Sequence, residues 1–157
     1  MSLSSIRKKS QLKSPRLLIY GSAGVGKSSF GASMDKPIFL LTEDGLGTIE
    51  TPHFPVAKDY ETFKSNLESL IKEEHDYKSL VIDSVDWLEP LIWSHVCKKN
   101  GWANIDTPGY GKGYVAALDI WREYIALLNV LREEKKMLIT QISHTIIKRH
   151  EDPETEA

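Results

Sequence analysis

The sequence predicts an α/β fold: one mostly parallel sheet flanked by helices. Three observations lead there. Short apolar runs recur as LLIY at 17–20, IFLL at 38–41, SLVID at 79–83 and MLITQI at 137–142. They are continuous rather than alternating, as strands covered on both faces are. Between them lie segments with apolar residues three and four apart, the period of an amphipathic helix. A glycine-rich stretch, GSAGVGKSS at 21–29, follows the first run directly. Alternating strands and helices of this kind call for right-handed crossovers between parallel strands.

In chain order, the first strand is 17–20, and a helix is compatible with 27–33, interrupted by Gly31. Pro37 opens the second strand. The span 45–58, rich in glycine and proline, reads as a loop with a short strand near Pro55–Ala57. Tyr60, Phe63, Leu67, Leu70 and Ile71 place a helix over 60–74, with Asp59 as N-cap. After the third strand a helix is expected over 86–99, where Pro90 is acceptable in the first turn, and Asn100-Gly101 supplies the stop. Residues 101–115 read as a loop. The strongest helical stripe follows it: Ala117, Ile120, Trp121, Tyr124, Ile125, Leu128 and Leu131, closed by REEKK at 132–136. The fourth strand is 137–142. Trp87, Trp93, Trp102 and Trp121 are expected as packing residues.

The chain of 157 residues suits one domain, residues 16–157, behind a flexible basic arm at 1–15. That arm holds Arg7, Lys8, Lys9 and Lys13, with Arg16 just beyond it and no acid. Net charge is −2, so any nucleic-acid contact has to come from a local patch. No run approaches the ~20 apolar residues of a membrane span, and no secretory signal is evident. Cys97 is the only cysteine, which fits a reducing cytoplasm, and it is expected as a half-buried helical thiol.

Gly21-Ser22-Ala23-Gly24-Val25-Gly26-Lys27-Ser28 fits G-x-x-x-x-G-K-[ST] in full, with Ser29 after it. Glycines let the backbone turn its N–H groups inward onto phosphate oxygens, and the helix that follows adds its positive end. Lys27 supplies a point charge for the β- and γ-phosphates, and the Ser28 hydroxyl is a ligand for Mg²⁺. The cofactors expected are therefore ATP and Mg²⁺. Asp83, at the tip of a buried strand, is the second acid on the metal side, with Ser84 as the cap of the next helix. Hydrolysis needs a group that activates water. Glu43, at the tip of the second strand, is the choice, with Asp44 as the alternative. Gln141 or His144, at the end of the fourth strand, is placed to sense the γ-phosphate. In YGKGY at 110–114, Lys112 stands between tyrosines. That pattern suits base stacking with a phosphate contact, or equally a helix-entry loop whose tyrosines pack inward.

The order of these elements resembles the RecA-like core of P-loop NTPases. More closely, GSAGVGKSSF, FLLTEDGL, SLVIDSVDWLEPL, PGYGKGYV and LITQISHTIIKRHEDPETE resemble bacteriophage nucleotide-binding proteins, the phage AAA-type ATPases that include RecA-like single-strand annealing proteins. The resemblance runs from about residue 15 to the end. It implies that the Gln141 strand lies between the phosphate-loop strand and the Asp83 strand. It also implies that Glu43 is the catalytic glutamate, and that Gln141 links the γ-phosphate to DNA-binding loops. Members of the group continue past DPETE with a further strand and helix, so the chain is expected to be a truncated core.

The function expected is Mg²⁺-dependent ATP hydrolysis in phage DNA recombination or replication, coupled to single-stranded DNA, in the cytoplasm of the host cell if phage-encoded. Partners implied are single-stranded DNA, further copies of the chain or phage recombination proteins. A non-hydrolysing nucleotide-binding scaffold is the alternative. A small-molecule kinase is disfavoured, because the arginines (Arg7, Arg16, Arg122, Arg132 and Arg149) are scattered and form no lid.

Overall fold

The computed structural model describes residues 13–145. Its elements are β1 (Arg16–Gly21), α1 (Lys27–Ala32), β2 (Pro37–Leu41), α2 (Tyr60–Lys72), β3 (Ser79–Asp83), α3 (Val85–Asn100), α4 (Lys112–Glu133) and β4 (Leu138–His144). The four strands form one sheet in the order β1-β4-β3-β2, and every pair is parallel. β4, the Gln141 strand, thus lies between the phosphate-loop strand and the Asp83 strand, as the resemblance implied.

Register decides where the strands end. Gly21 pairs with His144, Ile142 with Asp83, and Asp83 with Leu41. The N–H of Thr42 then donates to the Asp83 carbonyl at 2.9 Å. All four C-terminal tips therefore meet at one edge of the sheet, where open α/β sheets bind ligands.

Both faces of the central strands are buried. Leu40, Leu80, Ile82 and Ile139 pack against α2, α3 and α4 through Phe63, Leu67, Leu88, Ile92, Tyr124, Leu128 and Leu131. Phe39, Leu41, Val81 and Ile142 form a smaller cluster on the opposite face with Leu46 and Ala32. Successive strand residues alternate between the two clusters, which is why the runs are continuously apolar. Gly31 brings α1 onto the second face: a Cβ there would lie 2.7 Å from a Val81 methyl and 3.1 Å from the Phe39 ring. The glycine that seemed to interrupt the helix is what lets it pack.

The loop after β2 returns along the outer edge of that strand. Phe39 donates to Pro52, Phe54 to Phe39 and Ala57 to Leu41, each at 2.9 Å, with a parallel bridge between Phe39 and His53. The short strand expected near Pro55–Ala57 is therefore a single bridge, since Pro52 and Pro55 have no N–H to extend a ladder.

Asp59 caps α2 as expected, accepting the Thr62 N–H at 2.7 Å. Gly101, in the left-handed conformation, ends α3. Two helix boundaries differ from expectation. Pro90 lies in the second turn of α3, not the first. It sits on the exposed face, so solvent can reach the Asp86 carbonyl that loses its partner. α4 begins at Lys112, inside the stretch expected to be loop. Gly111, at φ 70°, ends the loop, and Gly113 belongs to the helix. A Cβ on Gly113 would lie 1.8 Å from the Ile105 carbonyl oxygen. Gly113→Ala should therefore destabilise the fold by about 3 kcal/mol, the upper end of overpacking costs. A denaturant midpoint equal to wild type would refute this account of the contact.

Trp93, Trp102 and Trp121 pack against the larger cluster, and Cys97 is half-buried beside them. Trp87 departs from the expectation: it is 52% exposed. Arg7, Lys8 and Lys9 lie outside the described residues. Lys13 pairs with Glu133, while Ser14 donates to the Lys136 carbonyl at 2.8 Å and accepts from Arg132 at 2.7 Å. The described end of the arm thus rests on the end of α4. No helix among the described residues is long and apolar enough to cross a membrane.

Candidate functional site

The chain leaves β1 at Gly21 and turns through Gly24 and Gly26, at φ 80° and 90°, before α1 begins at Lys27. A Cβ at either glycine would meet nothing within 4 Å. Backbone conformation, not space, therefore calls for glycine there. Outside the turn at Ala23–Gly24, the N–H groups of residues 22–29 carry no strong hydrogen bond to a backbone carbonyl among the described residues. Such a row of unused donors is what an anion can occupy. Lys27 is buried, and its Nζ donates to the carbonyls of Gly21 at 3.0 Å and Ser22 at 2.9 Å. Its charge is thereby held over the mouth of the loop.

The loop forms one wall of a cleft of about 350 Å³. Ala23, Gly24, Gly26, Lys27, Ser28 and Ser29 line that wall; Glu43, Gly45, Ile49, Asp83 and His144 line the others. Asp83, 2% exposed, accepts the Ser28 hydroxyl at 2.6 Å. A hydroxyl and a buried carboxylate in contact are hard oxygen donors of the kind Mg²⁺ takes alongside phosphate oxygens. The residues present fit that ion.

Glu43 stands on the same cleft. Asp44 is exposed and does not line it. Ser84 occupies the N-cap position of α3 but makes no cap hydrogen bond. Its hydroxyl instead donates to Glu43 Oε1 at 2.8 Å. Thr42 ties β2 to β3 just behind: its hydroxyl donates to the Ser84 carbonyl at 2.6 Å and accepts the Ser84 N–H at 2.8 Å. The Asp83–Ser84 peptide between these contacts is cis.

Gln141 is not brought to the cleft. It points to the α4 side of the sheet, where its Oε1 accepts the Tyr124 hydroxyl at 2.6 Å. Burial pushes the Tyr124 phenol up, so it stays protonated as the donor. The residue of β4 that reaches the cleft is His144. Side chains alternate along a strand, so 142 and 144 share the α1 face and 141 cannot. Sequence reading missed Thr42, Ile49 and Asp86, which contacts His144. Thr42 and Asp86 act through pairings 42 and 58 residues apart, and no local pattern marks them or Ile49.

The YGKGY stretch divides in two. Tyr110, at φ 49°, is fully exposed. Tyr114 packs edge-on against Trp93, with ring centres 5.4 Å apart. Lys112 is the first residue of α4.

A parallel sheet with a glycine-rich loop at one tip, a buried lysine and a hydroxyl–carboxylate pair beside it defines a P-loop nucleotide-binding domain. The chain belongs to the AAA domain family, whose model matches residues 13–157. It is also similar to the SPbeta prophage-derived uncharacterized protein YorG of Bacillus subtilis (strain 168). The two are 27% identical over 120 residues, which is 73% of this chain and 37% of YorG. The chain thus spans well under half the length of that relative.

Proposed function

We propose that the protein binds ATP with Mg²⁺ and hydrolyses its β–γ bond. One observation carries the reading: Glu43 lines the same cleft as Lys27, Ser28 and Asp83. In this reading the backbone of residues 21–29 and Lys27 bind the phosphates, and Ser28 and Asp83 hold the metal. Mg²⁺ would neutralise charge developing on the phosphate oxygens. Glu43 orients the attacking water and takes its proton. His144 takes the place first assigned to Gln141, joining the nucleotide site to the segment after β4.

The load is proposed to be single-stranded DNA in phage recombination or replication. Two things support that step: exposed Tyr110 beside Lys112, which offers a stacking face and a cation, and similarity to a prophage-derived protein. The test is phosphate release measured with and without single-stranded DNA over a salt series. Stimulation that fades steeply as salt rises supports the coupling. A rate indifferent to DNA removes the DNA role, and ATP binding without turnover leaves a nucleotide-dependent scaffold.

A further inference from the structure

Glu43 is held from outside its own loop. Its Oε1 accepts from Ser84 at 2.8 Å and faces His144 Nδ1 at 3.5 Å. Among the described residues, its Oε2 accepts no side-chain hydrogen bond. The same imidazole nitrogen lies 3.1 Å from Asp86 Oδ2, and Asp86 Oδ1 accepts the backbone N–H of His144 at 2.9 Å. Asp86 therefore grips His144 twice, by its ring and by its backbone.

The chemistry of these neighbours sets the state of the ring. Both groups facing Nδ1 are carboxylates, which only accept, so Nδ1 carries a hydrogen. The closer carboxylate, Asp86, takes the hydrogen bond, and the ring is thereby turned so that the same edge faces Glu43. Asp86 stands in the first turn of α3, three residues past Asp83, so it shares the rigid frame of the metal-side acid. Burial pushes its carboxyl up, but hydrogen bonds from the His144 backbone and ring outweigh this and hold it below its ordinary range. His144 and Glu43 line the cleft and Asp86 does not.

We infer that Asp86 is a positioning residue that acts through His144 to hold Oε1 of Glu43 and present Oε2 to the attacking water. The inference rests on the reading of Glu43 as the base. In the step concerned, the water oxygen bonds to the γ-phosphorus while its proton passes to Oε2. The bond from that phosphorus to the β–γ bridging oxygen breaks, and its electron pair stays on ADP. A glutamate side chain has several rotatable bonds, and a reacting group misplaced by about 1 Å loses on the order of a hundredfold in rate. The Ser84 hydrogen bond to one carboxylate oxygen, with the His144 ring edge fixed 3.5 Å from it, selects the rotamer that serves the other.

Asp86→Asn tests this. Its carbonyl oxygen still accepts the His144 backbone N–H, but its amide cannot accept the ring hydrogen. Turnover should fall about tenfold, the scale seen when supporting partners of a reactive group are removed. ATP affinity should hold, because Asp86 does not itself line the cleft, and unfolding temperature should change little, because the contact to the His144 backbone survives. In a Glu43→Gln background the same change should add nothing, since both act through one carboxylate. As a second variant, His144→Gln keeps N–H groups that can face both acids and should retain more of kcat than His144→Phe. Wild-type kcat in Asp86→Asn, with Glu43→Gln inactive, overturns the positioning role alone. A parallel loss of ATP affinity or folding in Asp86→Asn does the same, since it marks a structural residue. Undiminished turnover in Glu43→Gln, or none in the unaltered chain, overturns it together with the reading beneath it.

Discussion

Replacing Glu43 by glutamine is expected to lower kcat for ATP hydrolysis by about 10²–10⁴-fold, the range that a positioned general base contributes. ATP affinity should change little. Glutamine is close to isosteric and can still accept the Ser84 hydroxyl through its carbonyl oxygen, so the 2.8 Å contact can survive. It cannot take a proton from water. Equilibrium nucleotide binding and phosphate release, measured on the same preparation, separate the two effects. Tight ATP binding with release suppressed is the expected outcome. Asp44→Asn is the control, because Asp44 is exposed and stands outside the cleft. A loss on Asp44→Asn with Glu43→Gln unaffected would reverse the assignment.

Lys27→Ala should act on binding itself. A charge-assisted hydrogen bond contributes roughly 1.5–3 kcal/mol. In the structure Nζ already donates to two loop carbonyls, and those contacts are exchanged for phosphate oxygens when nucleotide binds. The net loss is therefore closer to one such bond than to two. About 3 kcal/mol, or a factor of about 10² in Kd, is the expected weakening. Lys27→Arg should recover little of it, because a planar guanidinium needs more room than a buried ammonium occupies. Fluorescence titration with a nucleotide analogue reads the affinity, and thermal unfolding without nucleotide shows whether the fold is intact. Unchanged affinity in Lys27→Ala would mean that phosphate binds elsewhere.

Much of the fold was legible because its signals are local. β2 and β3 stand where continuous apolar runs put them, and the Asp59 cap and the Gly101 stop are written in one or two residues. Errors arose where a local sign had a distant cause. Gly113 read as a loop residue, yet it sits inside a helix because the Ile105 backbone passes too close for a side chain. Pro90 read as a first-turn residue, yet it is carried in the second turn on a solvent-facing side. Gln141 read as a cleft residue because it is a polar group near a strand end and because the resemblance implied that role. Nothing in such a strand says which parity faces α1, and only the register with β3 and β1 resolves it.

The sequence by itself determined the class of protein. Three glycines, a lysine and a serine at set spacing after an apolar run specify a phosphate loop, since left-handed backbone and free N–H groups are properties of the local chain. It also placed Glu43 and Asp83 at strand tips. Only the tertiary structure decided which tips are neighbours. Ser84 meets Glu43, and Asp86 meets His144, across 41 and 58 residues of chain. Those meetings follow from the parallel ladders that set Gly21 beside His144 and Leu41 beside Asp83. A ladder joins backbone groups common to every residue, so which strands pair leaves no local mark in the sequence; the pairing is settled when both faces of the sheet bury their apolar residues together.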